Sequence, residues 1–145
     1  KLLEKNQGRD KVKPRQIQLS AAIFNDMLSI KTSSGLLSLA SSAQINRRVT
    51  FNNTGETHQE GVIVMTITDD DKTSVIDPRF QKLVLVFNNA VTPKTITYKD
   101  ATKLVLHPVQ QNGNDELVKS STISEGTLTV PKLTTAVFVQ YRQSN

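Results

Sequence analysis

The most informative absences from this sequence of 145 residues are cysteine and tryptophan. Without cysteine the chain cannot form disulfides, bind zinc through thiolates or use a cysteine nucleophile. Two tyrosines and five phenylalanines leave few rings for stacking against sugars or bases. No stretch approaches the ~20 consecutive apolar residues that cross a bilayer, so we predict no membrane span. The length suits one domain, because chains of about 100 to 200 residues usually bury a single core.

The excess of positive charge is concentrated at the start of the chain. The formal net charge is +5, of which residues 1–15 contribute +4. Residues 16–145 are almost neutral, and the leading segment has no aromatic residue that could stack on a base. We therefore predict a solvated basic leader and no nucleic-acid partner, with a polyanion site as the alternative.

The next part of the chain has helical periodicity. Apolar residues at 17, 21, 24, 27, 28 and 30 recur mostly at intervals of three or four, which predicts an amphipathic helix over residues 17–31. Pro14 lies just ahead of this helix, and the sequence Thr-Ser-Ser-Gly at residues 32–35 ends it. A second short helix is predicted over residues 43–47, with Ser41 or Ser42 as its N-cap.

Beyond Arg48 the apolar period changes from about 3.6 to 2. Turn residues separate short runs that predict eight strands, at residues 49–52, 62–68, 83–87, 95–98, 104–107, 117–123, 127–130 and 135–141. Three of these strands, those beginning at 62, 83 and 135, are apolar on both faces. We expect them at the centre of a sheet, with the second sheet on one face and a helix or partner domain on the other. The predicted fold is mainly β, an antiparallel β-sandwich of about eight strands preceded by one or two α-helices.

Candidate catalytic and metal-binding residues are few. His58 falls in a polar loop and His107 ends a strand, and no Gly-x-Ser-x-Gly motif accompanies either. The three aspartates at residues 69–71 lack the spacing of a calcium loop, so a solvated hairpin tip is predicted there, with calcium binding as the alternative. Asp77 is the nearest other carboxylate, and nothing marks it as one of a glycosidase pair. We predict no catalytic, cofactor-binding or metal-binding residue in this chain.

A series of short motifs runs through the chain in a defined order. Residues 30–39 read Ile-Lys-Thr-Ser-Ser-Gly-Leu-Leu-Ser-Leu after a helix, residues 47–55 read Arg-Arg-Val-Thr-Phe-Asn-Asn-Thr-Gly, and residues 61–69 read Gly-Val-Ile-Val-Met-Thr-Ile-Thr-Asp. Further motifs lie at residues 76–78, 83–88, 106–110 and 129–139. Together, from about Leu2 onward, they resemble the C-terminal part of pullulanase-type α-1,6-glucosidases. The departures are Gly35, where that family often has proline, and Ser38, where it often has arginine.

This resemblance implies a C-terminal β-sandwich that packs against the catalytic (β/α) barrel of the same polypeptide. In that family the barrel supplies an aspartate nucleophile and a glutamate acid/base, which cleave α-1,6 branch points in pullulan, amylopectin and limit dextrins. The motifs that carry those carboxylates do not occur in these 145 residues. Residues 1–40 would be the basic leader and the helix at the end of the barrel, and residues 41–145 the sandwich domain. The barrel-facing residues would be Ile17, Phe24, Met27 and Leu28.

Two functions follow from the resemblance. The first, which we favour, is a structural domain that covers apolar barrel surface. The second is an accessory α-glucan-binding module, for which Tyr98 and Tyr141 are the candidate glucan contacts. The doubly apolar strands favour the first, because they need covering, whereas a sugar-binding module usually exposes aromatic rings. No cofactor is expected on this chain, calcium remains an option for the parent enzyme, and a secreted or cell-surface bacterial parent is favoured.

Overall fold

The computed structural model describes residues 13–143, and the first element in it is a long helix, α1 (Pro14–Ser33). Pro14 occupies the first turn, where an N–H would have no partner in the helix, and the N–H of Lys13 donates to Oε1 of Gln16 at 2.8 Å. A shorter helix, α2 (Ser42–Arg48), follows, and the Ser41 side chain caps it by accepting the N–H of Gln44. Both predicted helices are confirmed. Most of the predicted basic leader lies outside the described residues.

The strands of residues 13–143 form two antiparallel sheets. The larger sheet has the order β1-β2-β3-β8-β5, and the smaller sheet has the order β4-β7-β6. The predicted sandwich of eight strands is thereby confirmed. Their bounds are β1 (Val49–Phe51), β2 (Val62–Thr68), β3 (Phe80–Asn88), β4 (Lys94–Thr97), β5 (Val105–Leu106), β6 (Thr122–Ser124), β7 (Thr127–Val130) and β8 (Thr134–Tyr141).

Two segments differ from the sequence prediction. The strand predicted over residues 117–123 is wrong in its first half, where a 3-10 turn (Val118–Ser120) precedes β6. The cause is local, because Oδ1 of Asp115 accepts the N–H groups of the two residues at the start of this turn, Leu117 and Val118. A third helix, α3 (Pro108–Asn112), is absent from the prediction. It is short, and its N-cap is His107 rather than one of the usual capping residues.

The larger sheet has a hydrophobic core on each face. We call the core between the two sheets the inner core, and the core between the larger sheet and the helices the outer core. Along β3 the side chains alternate, so that Val84 and Val86 face the smaller sheet while Leu83 and Leu85 face the opposite way. On that outer face they join Ile30 of α1 and the buried Leu36, which lies in a 3-10 turn after α1. β3 and β8 are thus central and covered on both faces, as predicted. The molecule has three layers, with helices on the larger sheet and the smaller sheet beneath it.

The side chain of Gln110 extends the larger sheet beyond the two residues of β5. Its Oε1 accepts the N–H of Val137 at 2.8 Å, and its Nε2 donates to the carbonyl of Thr135 at 2.8 Å. A buried side-chain amide therefore replaces a strand peptide beside β8.

Candidate functional site

An uncovered apolar stripe runs along α1. Ile17, Phe24 and Leu28 are spaced so that they share one helix face, and their exposed fractions are 60%, 62% and 47%. Ala21 lies on the same face and is also exposed. We call these four residues the α1 stripe. Large exposed apolar patches on a folded domain mark surfaces that interact with another protein segment, a ligand or a membrane.

A different face of α1 packs against the sandwich. Ile23 and Met27 are half-buried and Ile30 is fully buried, and these three positions align at intervals of four and three residues. Met27 contacts the outer core. Met27 is in line with Ile30 and not with Phe24, so it packs on the sandwich of its own chain, and its contact with the barrel stays a prediction. Ile17, Phe24 and Leu28 point away from the sandwich, and what they face stays a prediction.

The first turns of α1 project beyond the sandwich. Every residue from 13 to 21 is exposed, whereas burial begins around residues 22 and 23 and is complete at Ile30. A helical segment exposed on all sides gains little stability from packing, and most helices in proteins depend on packing. Within the described residues, no other element packs on this segment.

The middle of α1 is held by the loop after α3. Both carboxylate oxygens of Asp26 are engaged there: Oδ2 accepts the N–H of Asn114 at 2.7 Å, and the Asn114 amide reaches Oδ1 at 3.2 Å. Gly113 makes this approach feasible, because a Cβ at that position would lie 2.6 Å from Oδ2 of Asp26. We call this contact the Asp26 clasp.

The end of α1 is held by His107. Its Nε2 lies 3.1 Å from Oγ of Ser33, which itself donates to the carbonyl of Ile30, while its Nδ1 accepts the N–H of Val109. This pattern fits a neutral ring with its proton on Nε2. Burial and, to a smaller extent, the charge of Arg79 together lower the pKa of His107 to about 4. The expected strand-end histidine is thus a structural link between α1 and α3. His58 is exposed after a short 3-10 turn.

Asp69 is the centre of a buried ion cluster, so the prediction of a solvated tip at residues 69–71 is wrong for this residue. Its Oδ1 lies 2.9 Å from Nη1 of Arg48, and its Oδ2 lies 2.8 Å from Nη2 of Arg142. Oδ2 also accepts the N–H groups of Ile76 and Asp77. Asp69 and Arg48 are both almost fully buried. Two arginines occupy the carboxylate, so it offers no free oxygen pair to a cation.

Asp77 also has a structural role. Burial by itself would raise the pKa of this carboxyl, but hydrogen bonds from the Ser34 side chain and from the N–H groups of Arg79 and Phe80 outweigh it, and the pKa is lowered. A carboxyl with a lowered pKa is ionised near neutrality and is a poor general acid. Among residues 13–143, no three His, Asp or Glu side chains are grouped closely enough to hold a metal ion.

The two tyrosines differ in exposure. Tyr98 is 8% exposed, lies between the sheets and has its hydroxyl 3.3 Å from Oγ1 of Thr66, so its ring presents no face to a ligand and the structure does not support Tyr98 as a glucan contact. Tyr141 is about half exposed and packs its ring against Phe80, with the ring centroids 5.3 Å apart. Its contact with glucan stays a prediction.

A second apolar area lies on the same face of the larger sheet as the helices. Phe51 pairs with Met65 and Ile63 pairs with Phe87, and all four side chains share the face that carries the outer core. Phe51 and Ile63 are more than half exposed. The helices thus cover one part of this face and leave another part open. None of the helices in residues 13–143 has the length and hydropathy of a membrane-crossing segment.

These features define a class of domain, a β-sandwich with a helical layer whose outer surface is apolar and uncovered. The comparisons with known proteins give its family. The sequence profile of the family described as "Alpha-1,6-glucosidases, pullulanase-type, C-terminal" matches residues 2–141. The chain belongs to this family.

Two curated relatives agree with this assignment. "Pullulanase 1, chloroplastic" of Arabidopsis thaliana is 39% identical over 90% of the chain, and "Pullulanase" of Klebsiella pneumoniae is 30% identical over 84% of it. The chain spans only 14% and 12% of the lengths of these proteins, so it corresponds to one part of a much larger pullulanase polypeptide.

Solved structures agree on the fold. Apo pullulanase from Klebsiella pneumoniae superposes with a TM-score of 0.89 at 24% identity, covering 99% of this chain and 16% of that one. PulA from Klebsiella oxytoca gives a TM-score of 0.83 at 28% identity, covering 90% of this chain and 13% of that one.

Proposed function

We propose that this chain is a non-catalytic structural domain of an enzyme that cleaves α-1,6-glucosidic branch points in pullulan, amylopectin and limit dextrins. Its task is to cover apolar surface of the catalytic barrel of the same polypeptide. The observation that carries this proposal is the presence of two separate apolar stripes on α1. One stripe packs on the sandwich and the other is uncovered, which is the pattern of a helix enclosed between two packed bodies.

The open end of the larger sheet offers further apolar surface on the same side of the molecule. Phe51 and Ile63 lie on the helical side of that sheet, as the α1 stripe does. Burying exposed apolar surface stabilises by roughly 25 cal/mol per Å², so a partner that covers both areas gains more than one that covers the helix alone. Residues 13–21 are exposed on all sides, so such a partner can contact the start of α1 from any direction.

The carboxylates support a non-catalytic role. A retaining glycosidase needs two carboxyls about 5 Å apart across a sugar-sized cleft, one of them able to donate a proton. In the described residues the two buried carboxylates have structural partners: Asp69 is paired with two arginines and accepts two backbone N–H groups, and Asp77 accepts two backbone N–H groups. We expect no release of reducing sugar from pullulan by the 145-residue chain, and release would contradict the proposal.

The docking part of the proposal is tested by replacing Leu28 with glutamate in two settings. In the isolated chain Leu28 is 47% exposed, so Leu28→Glu should change the free energy of unfolding by less than about 0.5 kcal/mol. In the full-length enzyme the same glutamate would be buried without a partner. There we expect a loss of about 2 kcal/mol or more, measured as a lower unfolding midpoint in urea.

The matched control is Val75→Glu. Val75 is also 47% exposed, but it lies in the β2–β3 connection and not on α1. Val75→Glu should have little effect on the free energy of unfolding of either the isolated chain or the full-length enzyme. Equal effects of the two variants in the full-length enzyme would overturn the assignment of the α1 stripe as the docking surface.

Two further expectations belong to the whole enzyme. We propose that any calcium it holds is bound outside residues 13–143, which metal analysis of the full-length protein and of the isolated chain would test. A secreted or cell-surface bacterial parent also remains a proposal. Fractionation of the source cells, with this chain detected by antibody, would test that proposal.

A further inference from the structure

We infer that the smaller sheet carries a secondary binding site for the α-glucan chain, at a pocket beside its outer face. This inference rests on the proposed function for the identity of the glucan, since the pocket itself fits any neutral ligand rich in hydroxyl groups. It differs from the tyrosine contacts predicted from the sequence, and it lies in another layer of the fold.

The outer face of the smaller sheet is a regular array of hydroxyl groups. Thr129 of β7 is paired with Thr95 on one side and with Thr122 on the other, and Thr127 is paired with Thr97 and Ser124 in the same way. Neighbouring strands lie about 4.8 Å apart, and alternate residues share a face, so the six side chains form two rows of three. Their apolar neighbours Ile96, Leu128 and Val130 are buried on the opposite face.

A pocket of about 510 Å³ opens at the end of this array, beside the row that contains Thr129. That volume is within the range of about 300 to 1,000 Å³ typical of small-molecule sites, and it suits a short oligosaccharide. Hydroxyl side chains line one part of it, from Thr92, Ser120, Thr122 and Thr129. Apolar side chains line the rest, from Val91, Pro93, Leu117 and Pro131.

This lining matches the chemistry of a sugar ring, which has apolar C–H faces and a rim of hydroxyls. Apolar walls can cover the ring faces, while hydroxyl side chains both donate and accept hydrogen bonds at the rim. The lining residues include no carboxylate in the described part of the chain, and their single charged side chain is Lys132. A neutral ligand is therefore favoured over an ionic one.

The pocket lies on the side of the sandwich away from the proposed docking surface. The α1 stripe and the open end of the larger sheet lie on the helical side, whereas the hydroxyl array lies on the far side of the sandwich core. A catalytic barrel docked on the helices would not itself cover the smaller sheet. Val91, at the mouth of the pocket, is 75% exposed.

The test is a chemical-shift titration of the 145-residue chain with maltotriose, and with cellotriose as a β-linked control of the same composition. We expect localised shifts at residues around Thr129 and Leu117 with maltotriose. Thr129→Val removes a hydroxyl with little change of shape, and one lost hydrogen bond should weaken binding about fivefold. Leu117→Glu should abolish binding by replacing an apolar wall of the pocket with a charged, hydrated side chain.

Thr97→Val is the matched control, because it makes the same change in the other row of the array, away from the pocket lining. It should leave the affinity for maltotriose unchanged. Four outcomes would overturn the inference: no shifts, shifts centred on Tyr141, equal weakening by both valine variants, or equal binding of cellotriose. None of them bears on the docking proposal, whose test is the effect of Leu28→Glu on stability.

Discussion

Single residues hold the helical layer and the sandwich together, and most of them are polar. Asp69 joins Arg48 from the end of α2 to Arg142 from the end of β8, and His107 joins α3 to the end of α1. Buried polar groups of this kind cost free energy when they are unpaired, so each link is effective only while every partner is in place. The stability of the chain should therefore be sensitive to charge-neutralising changes that alter no shape.

Asp69→Asn is the most direct test of the ion cluster. The side chain keeps its size, but Arg48 is left with a buried charge and no carboxylate. Breaking a buried ion pair at one partner costs about 3 to 5 kcal/mol, and we expect a loss of that size in urea unfolding. Asp70→Asn is the control, since Asp70 is exposed and adjacent. If both variants lost the same small amount, the cluster would have no structural role.

The buried histidine predicts a defined pH dependence. The pKa of His107 is lowered from 6.5 to about 4 in the folded chain, so the unfolded chain takes up the proton first as the pH falls. The stabilisation of the folded chain that comes from this pKa difference is complete above pH 6.5. It is lost as the pH falls from 6.5 to 4, which lowers the free energy of unfolding by about 3 kcal/mol in total. The measurement is the free energy of unfolding at pH 7.5, 6, 5 and 4.

His107→Asn is the control for this titration. Asparagine can still cap α3, because it is among the favoured N-cap residues, but it does not titrate in this range. The curve for the variant should be flatter than that of the natural chain down to about pH 4. Below that pH, protonation of Asp77 should destabilise both proteins, since its pKa is also lowered. Parallel curves between pH 6.5 and 4 would rule out His107 as the source.

At the scale of elements, the sequence pattern predicts regular strands well and hydrogen-bonded turns poorly. β2 and β7 have the predicted limits because alternation and flanking turn residues are local signals. α3 and the turn at Val118 depend on side-chain caps from His107 and Asp115, which periodicity does not report. The burial of Asp69 depends on Arg142, 73 residues away, and no local pattern contains that pairing.

The α1 stripe was accessible to sequence reasoning only in part. The heptad-like spacing of Ile17, Phe24 and Leu28 is visible in the sequence, yet α1 also has an inward stripe, and periodicity alone does not assign Met27 to one or the other. The contacts of Met27 with the outer core decide the assignment. The hydroxyl array was equally hidden, because Thr-x-Thr segments indicate strands without revealing which strands lie side by side.

The Asp26 clasp gives a prediction for α1 as an element. In Gly113→Ala the new Cβ would lie 2.5 Å from the carbonyl of Val109 and 2.6 Å from Oδ2 of Asp26. One of these atoms is backbone and cannot move alone, so we expect the clasp to open, with a loss of about 1 to 3 kcal/mol. Urea unfolding measures the loss, and the amide resonance of Asn114 reports the clasp.

Gly35→Ala is the matched control for that substitution. Its Cβ would also be close to a neighbour, at 2.9 Å, but the neighbour is a methyl group of the Ile76 side chain, which can rotate away. We expect a much smaller change there. A Gly113→Ala chain with an unaltered Asn114 resonance would contradict the proposed contact.

At the scale of the whole molecule, the three layers differ in how much of their apolar surface is buried. The sandwich core is enclosed by two sheets, whereas the helical layer has one enclosed face and one open face. An open face is expected of this chain, because it belongs to a C-terminal family and spans only a small share of its relatives' length. An isolated chain should therefore have a tendency to cover its open face with a second copy.

Sedimentation velocity tests this expectation. We expect the 145-residue chain to associate as its concentration is raised from micromolar to millimolar, because an uncovered apolar helix face is a self-complementary surface. Phe24→Glu should shift the distribution to monomer. A natural chain that stays monomeric throughout would show that the α1 stripe does not drive association by itself.

The place of β8 in the larger sheet has a consequence for biosynthesis. β8 is the last strand in the described chain, but it lies between β3 and β5 and supplies Phe138 and Val137 to the inner and outer cores respectively. A ribosome that has translated up to residue 133 has therefore delivered the other seven strands without the one that pairs with both β3 and β5. Until residues 134–141 emerge, β3 has an unpaired edge and both cores are incomplete, so the nascent domain should depend on chaperones until its final stretch is made.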